Sequence, residues 1–364
     1  MKTLFSGLCL LVVLSVYAQS DSHAPALQQL ADQAILDEKY VGLSIGYQIA
    51  GEEAVIAAAG MRNRETGLPY EANTENRTAS ISKTMTAVAV LQLYEKGLLD
   101  LDAPLSTYLP DFLRADEISI RQILQHTSGI AHYSERGRET ESTVKYPNLE
   151  AAAAVFAHRP LAHEPGAGFH YSTYGYVVLG LVIEQVAGMS YEEYMQTHVW
   201  LVAGMSQTRV EYEYQHSQDN SQLYTRNRRG KLRLTNANNL TNRIPGGGIT
   251  STLPDLLRFG QALMDGTLLS EAGFDLMCTP SEVDYGENNP YGMGLYLYHY
   301  KAEAPWGKFM GHSGTQTGVS AQLMLMPEQG ICVVVLTNTS RAWQDTIQLS
   351  IEGMKAAFRV YSEE

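Results

Sequence analysis

The chain has 364 residues, of which 45% are hydrophobic and 18% are charged, so it can bury a large core and is not a low-complexity segment. Its 39 acidic and 26 basic residues give a formal net charge of -13, which argues against nucleic acid and anionic membrane surfaces as partners. At about 150 residues per domain, the length predicts roughly two domains or one large fold.

The first 18 residues have the pattern of a secretory signal peptide. Lys2 precedes an apolar run from Leu4 to Val16, and Ala18 supplies a small residue at the expected cleavage point. The apolar run is shorter than the roughly 20 residues that a membrane-spanning helix needs. We therefore predict cleavage after Ala18, no stable membrane span, and a periplasmic or secreted mature protein.

Strand signals cluster at the two ends of the chain. Residues 43–49 and 54–59 are short apolar or alternating runs joined by a glycine-containing turn, which predicts a hairpin. The C-terminal end carries three more strand candidates and then an amphipathic helix, at residues 308–312, 318–326, 331–338 and 346–360.

The middle of the chain is predicted to be helical. Residues 80–95 are apolar on nearly every side, which is typical of a buried helix. Ser119 and Ser190 each begin a capping-box sequence that opens a helix. Two further helices are expected over residues 174–186 and from Pro254 onward.

These elements predict an α/β (α+β) fold in which a helical block interrupts the sheet-forming part. We place the signal peptide at residues 1–18 and the catalytic region at 19–364. Within that region, the α/β part is predicted at about residues 26–80 and 250–364, and the helical part at about 81–249.

Three features of the sequence do not by themselves indicate a binding or catalytic site. Cys278 and Cys332 remain after signal cleavage and either pair or stay free, and the apolar surroundings of Cys332 favour a small buried hydrophobe. The longest basic run, residues 226–231, is interpreted as a solvated turn. The histidines show no metal-site spacing such as H-E-x-x-H, so we predict neither a metal nor a cofactor.

A nucleophilic serine needs a base within hydrogen-bond reach, and one S-x-x-K sequence offers this at the start of the buried helix. Positions i and i+3 share a helix face, so Ser80 and Lys83 place an amine beside a hydroxyl. Burial lowers the pKa of a lysine, and the helix N-terminus offers backbone amides.

Two other serines match a nucleophile pattern with less support. Ser142 and Lys145 repeat the S-x-x-K spacing, but they lie in a polar stretch where Pro147 prevents a long helix. Ser44 lies in a G-x-S-x-G sequence that continues as a strand, whereas a nucleophile elbow requires a sharp turn and a helix.

Residues 79–84 resemble the active-site helix of serine β-lactamases and penicillin-binding proteins, in particular class C β-lactamases and their relatives. Further segments match the family in the expected order: the H-T-S-G stretch at 126–129, Pro-Gly at 165–166 with Tyr-Ser-Thr at 171–173, the glycine turn at 246–252, and Gly-His-Ser-Gly at 311–314. The resemblance extends over roughly residues 43–360.

The resemblance implies a five-stranded antiparallel sheet flanked by helices, an inserted helical domain, and an active site between the two parts. It implies that Ser80 is the acyl-forming nucleophile, that Lys83 activates it, and that Tyr171 is the partner acid/base. The backbone N–H groups of Ser80 and Thr315 would form the oxyanion hole.

The same resemblance implies a substrate-binding set of Thr173, His312, Ser313 and Gly314, and this set departs from the family pattern at two positions. Thr173 replaces an asparagine, and His312 replaces the lysine that can hold the carboxylate of a β-lactam. Histidine is mostly neutral at pH 7, so efficient β-lactamase activity is not expected. Relatives with H-x-G resemble D-amino-acid-specific peptidases, esterases and mitochondrial β-lactamase-like proteins.

We therefore expect a serine hydrolase that forms an acyl-enzyme on peptide, amide or ester bonds of a small-molecule or peptide substrate, with weak β-lactam hydrolysis. The alternatives are a true class C-type β-lactamase, a penicillin-binding sensor that is acylated without turnover, and a filament-forming non-enzymatic homologue. The tyrosine-bearing segments 212–224 and 285–291 are candidates for the borders of the cleft, with plain surface loops as the other interpretation.

Overall fold

The computed structural model describes residues 24–134, 139–214, 220–286, 289–298 and 307–363. The predicted signal peptide, residues 1–18, lies outside these ranges. A search of the described helices finds none that combines the length and the apolar character needed to cross a membrane.

The described strands are, in chain order, β1 (Gly42–Ile49), β2 (Val55–Asn63), β3 (Leu68–Pro69), β4 (Asn76–Arg77), β5 (Arg209–Val210), β6 (Tyr224–Arg226), β7 (Leu232–Leu234), β8 (Ile249–Ser251), β9 (Tyr296–Tyr298), β10 (Phe309–Gln316), β11 (Val319–Met326), β12 (Ile331–Thr337) and β13 (Thr339–Ser340). The described α-helices are α1 (24–36), α2 (Ile81–Glu95), α3 (Ile120–Leu124), α4 (Leu149–Ala153), α5 (Thr173–Ala187), α6 (Tyr191–Tyr194), α7 (Ile244–Gly247), α8 (Leu253–Met264), α9 (Glu271–Met277) and α10 (Trp343–Glu363). Short 3₁₀ or π turns lie at Leu105–Thr107, Ala115–Glu117, Met195–Trp200 and Pro327–Gln329.

The main sheet has seven antiparallel strands in the order β3-β2-β1-β12-β11-β10-β9. Five of them are the predicted strands, which confirms the antiparallel α/β fold. The two additional strands, β3 and β9, extend the edges and contain only two and three residues. A segment that short has no periodic apolar pattern to reveal it in the sequence.

The strand β12 is apolar along its whole length because helices cover both faces of the sheet. All seven of its residues are buried. One face packs against α8, and the other packs against α1 and α10. A strand buried on both faces loses the apolar-polar alternation of a half-exposed strand.

The helix α2 lies at the centre of the helical layer. Its residues 81–93 are all buried, as the all-round apolar composition predicts. The helices α5 and α7 pack against it on the helical side, and β10 and β11 contact it from the sheet. The start of α2 therefore lies where the sheet meets the helices. The division into two parts with boundaries near residues 80 and 250 stays a prediction.

Local capping signals define several helix ends. The predicted capping box at Ser119 is present: its hydroxyl accepts from the Gln122 N–H at 3.2 Å, and the Gln122 side chain accepts from the Ser119 N–H at 2.9 Å. Ser190 accepts from the Glu193 N–H at 3.2 Å at the start of α6. Each cap satisfies backbone donors that have no partner inside the helix.

Cys278 and Cys332 do not form a disulfide. Cys332 is buried in β12, as predicted for a small hydrophobe, and Cys278 packs against Met310 with its sulfur 3.1 Å from the Met310 sulfur. Stability therefore comes from the packed layers and not from a covalent cross-link.

Candidate active site

A strained turn presents Ser80 at the beginning of α2. Ala79, immediately before it, has a φ of 46°, which is uncommon for a residue with a Cβ atom. Ser80 is partly exposed, whereas the three residues that follow it are buried. Backbone strain at one residue is kept only where the surrounding structure imposes it, and it is often found at functional positions.

The side chain of Lys83 is fully buried and points back to Ser80. Its Nζ lies 3.2 Å from Ser80 Oγ and donates to the carbonyl oxygen of Gly246 at 2.6 Å. No carboxylate of the described residues forms an ion pair with it. Burial, and secondarily the nearby Arg243 cation, hold the pKa of Lys83 well below its usual value. A neutral amine beside a serine hydroxyl can act as a general base.

Tyr171 completes a cluster of three around the Ser80 hydroxyl. Lys83 Nζ lies 4.8 Å from the centroid of the Tyr171 ring, and Tyr171 is hydrogen-bonded to Ser80. Burial, and then the neighbouring Tyr296, raise the pKa of Tyr171 well above its usual value, and the bond to Ser80 acts in the opposite direction. The phenol of Tyr171 therefore keeps its proton and can donate a hydrogen bond.

Two histidines hold the backbone that follows Tyr171. The Ser172 N–H donates to His126 Nδ1 at 3.1 Å, and the Thr173 N–H donates to His132 Nδ1 at 3.0 Å. Burial lowers the pKa of His132 to about 3 and that of His126 well below its usual value, so both rings can accept these bonds. The rings therefore anchor the start of α5, where Tyr171 enters the site.

The strand β10 lies against the turn before Ser80 because Gly314 has no side chain. A Cβ atom at Gly314 would be 2.4 Å from the carbonyl oxygen of Thr78. The next residue, Thr315, is exposed. The Ser80 N–H has no acceptor among the residues that the structure describes. Both predicted oxyanion-hole residues therefore lie at this junction of strand and helix.

His312 is a buried neutral imidazole. Its Nδ1 is 2.7 Å from the Ser313 carbonyl oxygen, which can only accept, so Nδ1 carries the proton. Its Nε2 therefore accepts from the Tyr291 hydroxyl at 3.1 Å. Burial, and then the charge of Lys83, lower the pKa of His312 to about 3.

Another predicted binding residue, Thr173, is buried at the start of α5. Its methyl group packs on Gly246, where an added Cβ would be 2.7 Å away. Its hydroxyl is buried without a hydrogen-bond partner in the described part of the chain. A buried hydroxyl without a partner is uncommon, and this one lies close to Gly246, whose carbonyl oxygen accepts from Lys83.

The two competing serines lie outside this cluster. Ser44 is buried in β1, with no turn or helix after it. Ser142 lies in a non-helical segment where its hydroxyl accepts from the Val144 N–H at 3.2 Å, and Lys145 is exposed. Among the residues that the structure describes, no lysine or histidine side chain is hydrogen-bonded to either serine.

Sequence reasoning missed several contributors to the site. Gly246 belongs to the glycine turn that resembles the family, but no sequence pattern indicates that its carbonyl oxygen accepts from Lys83. His132 follows the H-T-S-G stretch without a motif of its own. Tyr291 ends one of the two segments predicted as candidate cleft borders, and its hydroxyl donates to His312. The other segment, 212–224, is described only in part, and Tyr224 packs elsewhere, under Arg64.

Arg243 is a buried cation at the start of the turn that holds Lys83. Its Nη2 donates to the carbonyl oxygen of Glu139 at 2.8 Å, and its guanidinium lies 4.8 Å from the Tyr133 ring centroid. No ion pair with a described carboxylate is present. Its charge therefore acts on Lys83 without neutralisation.

We expect Arg243→Gln to move the acid limb of the pH–kcat/KM profile to higher pH. Removing the cation raises the pKa of Lys83, so a smaller fraction of the amine is neutral at a given pH. The measurement is the midpoint of that limb with an activated ester. Arg243→Lys, which keeps the charge, is expected to retain the wild-type midpoint. A folded Gln variant with an unshifted midpoint would contradict this role.

The fold and the pairing of a serine with a buried lysine one helical turn away are those of an acyl-transferring serine hydrolase. The family model described as Beta-lactamase matches residues 27–350, and the chain belongs to this family.

Three of the proteins similar to this chain differ from one another in the activity or binding that their names describe. The chain is 30% identical over 292 residues to penicillin-binding protein 4* of Bacillus subtilis. This match covers 74% of the chain but only 62% of the relative's length. It is 33% identical over 182 residues to esterase EstB of Burkholderia gladioli, covering 46% of each. The solved D-stereospecific amidohydrolase of Streptomyces superposes with a TM-score of 0.75 at 25% identity, covering 90% of this chain and 97% of that one.

Proposed function

We propose that this protein hydrolyses amide or ester bonds of substrates that carry no carboxylate next to the scissile bond. The observation that carries the proposal is the Lys83 amine 3.2 Å from Ser80 Oγ, where burial holds the pKa of Lys83 well below its usual value. The similarity to an esterase and to a D-stereospecific amidohydrolase supports both bond types and favours acyl groups of D configuration.

In the proposed reaction, Ser80 Oγ attacks the acyl carbon while its proton passes to Lys83 Nζ. The Ser80 and Thr315 N–H groups stabilise the oxyanion. The bond to the leaving nitrogen or oxygen then breaks, and that atom takes a proton from Tyr171, which the Lys83 ammonium replenishes. A water molecule attacks the ester of Ser80, and the acid product leaves with the Ser80 hydroxyl restored.

His312 supports the preference for uncharged leaving groups. A lysine in its place would present a cation to a carboxylate, whereas His312 is neutral and its ring is engaged on both nitrogens. Penicillins carry such a carboxylate, so we place β-lactam hydrolysis as a weak side reaction. Thr173 and Ser313 are proposed to bind the polar groups of the acyl chain.

We also propose that the protein is exported, with residues 1–18 as a cleaved signal peptide. The charged n-region and the short apolar run support this. The described part of α1, residues 24–36, lies on the C-terminal side of the proposed cleavage site after Ala18.

Two esters with the same acyl group test the substrate preference, one of 3-hydroxybenzoate and one of 3-hydroxybenzamide. We expect the wild-type protein to favour the carboxamide in kcat/KM. His312→Lys is expected to shift the ratio toward the carboxylate by roughly tenfold, because a charge-assisted hydrogen bond replaces a neutral one. His312→Gln, which adds no charge, is the matched control. A wild-type preference for the carboxylate, or an equal shift in the Gln variant, would refute the preference.

A further inference from the structure

A wide groove opens on a surface formed by segments outside the active site. It has a volume of about 840 Å³ and lies between the end of α1, the strand β2 and the β6–β7 hairpin. None of the residues around Ser80 lines it. Its size falls in the range of small-molecule sites, which span roughly 300–1,000 Å³.

The groove is cationic, although the chain as a whole carries a formal charge of -13. Two acidic residues, Asp37 and Glu38, line it, and Asp37 is 3.3 Å from a lysine of the same wall. The basic residues that line it are Lys39, Arg64, Arg226, Arg229 and Lys231. Positive charge on three separate elements therefore converges on one concave surface.

Two of the five cations have no counter-charge. Within the described ranges, no carboxylate oxygen lies within 4 Å of the side-chain nitrogens of Arg229 or Lys231. Both residues are exposed. They come from the basic run 226–231, which folds as the tip of the β6–β7 hairpin and faces the end of α1 across the groove.

The other arginines are held in place by the fold. Arg226 donates to Asp345 at 2.8 Å and to the Lys39 carbonyl oxygen at 2.6 Å, while its Nε is buried and has no acceptor among the described residues. The guanidinium of Arg64 lies 5.4 Å from the centroid of the Tyr224 ring. Arginines positioned before a ligand arrives lose less conformational entropy on binding.

We propose that this groove binds a ligand bearing two or more phosphate groups. The planar arginine fork matches phosphate oxygens with two parallel hydrogen bonds, and three arginines line one groove. Cations on opposite walls suit a chain of phosphates better than a single anion. The site is separate from the Ser80 chemistry and does not depend on the proposed function.

Isothermal titration with inorganic tripolyphosphate at constant ionic strength tests the proposal. We expect one saturable site in the wild-type chain and binding weakened by about tenfold or more in Arg229→Glu/Lys231→Glu. The matched control is Arg228→Glu/Arg233→Glu, because both residues are exposed in the same hairpin but do not line the groove. The control is expected to bind within about twofold of wild type.

Three outcomes would overturn the proposal. They are the absence of saturable binding to the wild type, an equal loss in both double variants, and equal affinity for citrate, which would assign the groove to carboxylates. Ester hydrolysis is measured in parallel. Wild-type rates in both double variants show that the fold is intact and that any change in binding belongs to the groove.

Discussion

Ser80→Ala is expected to abolish hydrolysis, by a factor on the order of 10⁴ or more, because the acyl-enzyme can no longer form. The fold should be unaffected: Ser80 is partly exposed and its side chain makes no helix-capping bond. The measurement is intact mass after incubation with a penicillin and, separately, an activated ester, together with product release. The matched control is Ser142→Ala, which removes the other S-x-x-K serine and should leave the rate unchanged.

The mass spectra and product release distinguish a hydrolase from a penicillin-binding sensor and from a non-enzymatic homologue. Steady product release without an accumulated adduct, lost in Ser80→Ala, is the result expected for a hydrolase that turns over. A stable adduct on Ser80 with no release would instead indicate a penicillin-binding sensor. Full activity in Ser80→Ala would remove Ser80 from the mechanism. If neither compound yields an adduct or a product, that result would favour the non-enzymatic homologue.

Lys83→Met is expected to lower the rate by roughly 10²–10⁴-fold while raising the stability of the folded protein at neutral pH. The rate falls because the base beside Ser80 is removed. The stability rises because keeping a lysine uncharged costs about 1.4 kcal/mol for each pH unit below its ordinary pKa. Because burial holds the pKa of Lys83 well below its usual value, we expect this cost to outweigh the loss of the hydrogen bond to the Gly246 carbonyl oxygen.

The pH dependence gives this prediction its sign. The folded pKa of Lys83 lies below the unfolded value, so between the two the unfolded chain binds more protons and wild-type stability rises with pH. Methionine does not titrate, so position 83 makes no pH-dependent contribution to the stability of the Lys83→Met variant. The gain in Lys83→Met should therefore be largest at or below the folded pKa and vanish as the pH approaches about 10.5, the ordinary lysine value.

Thermal unfolding at pH 7 and pH 10 measures this difference. Lys96→Met is the matched control, because Lys96 lies exposed at the end of the same helix and should show no pH-dependent gain. A Lys83→Met variant with a lower Tm than wild type at pH 7 would show that the lysine is not held uncharged by burial. An unchanged rate would remove it from catalysis.

The parts of the site that could be predicted from the sequence are local. Ser80 and Lys83 are one helical turn apart, so their contact follows once residues 80–95 form a helix. The strand β12 could be recognised because burial on both faces makes it a nearly continuous apolar run, whereas β1 and β11 are mostly apolar but include buried polar residues such as Ser44 and Gln322. The proximity of Tyr171 and His312 to Ser80 and Lys83 could be predicted only from the resemblance to the family, through the order of the motifs along the chain.

The contacts that could not be predicted join distant segments. The Gly246 carbonyl that holds Lys83 is 163 residues away in sequence, and His126 reaches the Ser172 backbone across 46 residues. No helix or strand period relates such positions. The Tyr291 hydroxyl on His312 is closer in sequence, at 21 residues, but it comes from a loop whose path depends on the packing around it.

Residue spacing and apolar pattern thus predicted the α/β fold class, and they favoured Ser80 and Lys83 over the other serine and lysine pair. The protonation states of the site came only from the folded chain. Whether Lys83 is a base, Tyr171 a donor and His312 a neutral ring depends on burial and on charges from several elements. The pKa of a side chain responds to everything packed around it, and that environment exists only after the sheet and the helices have assembled.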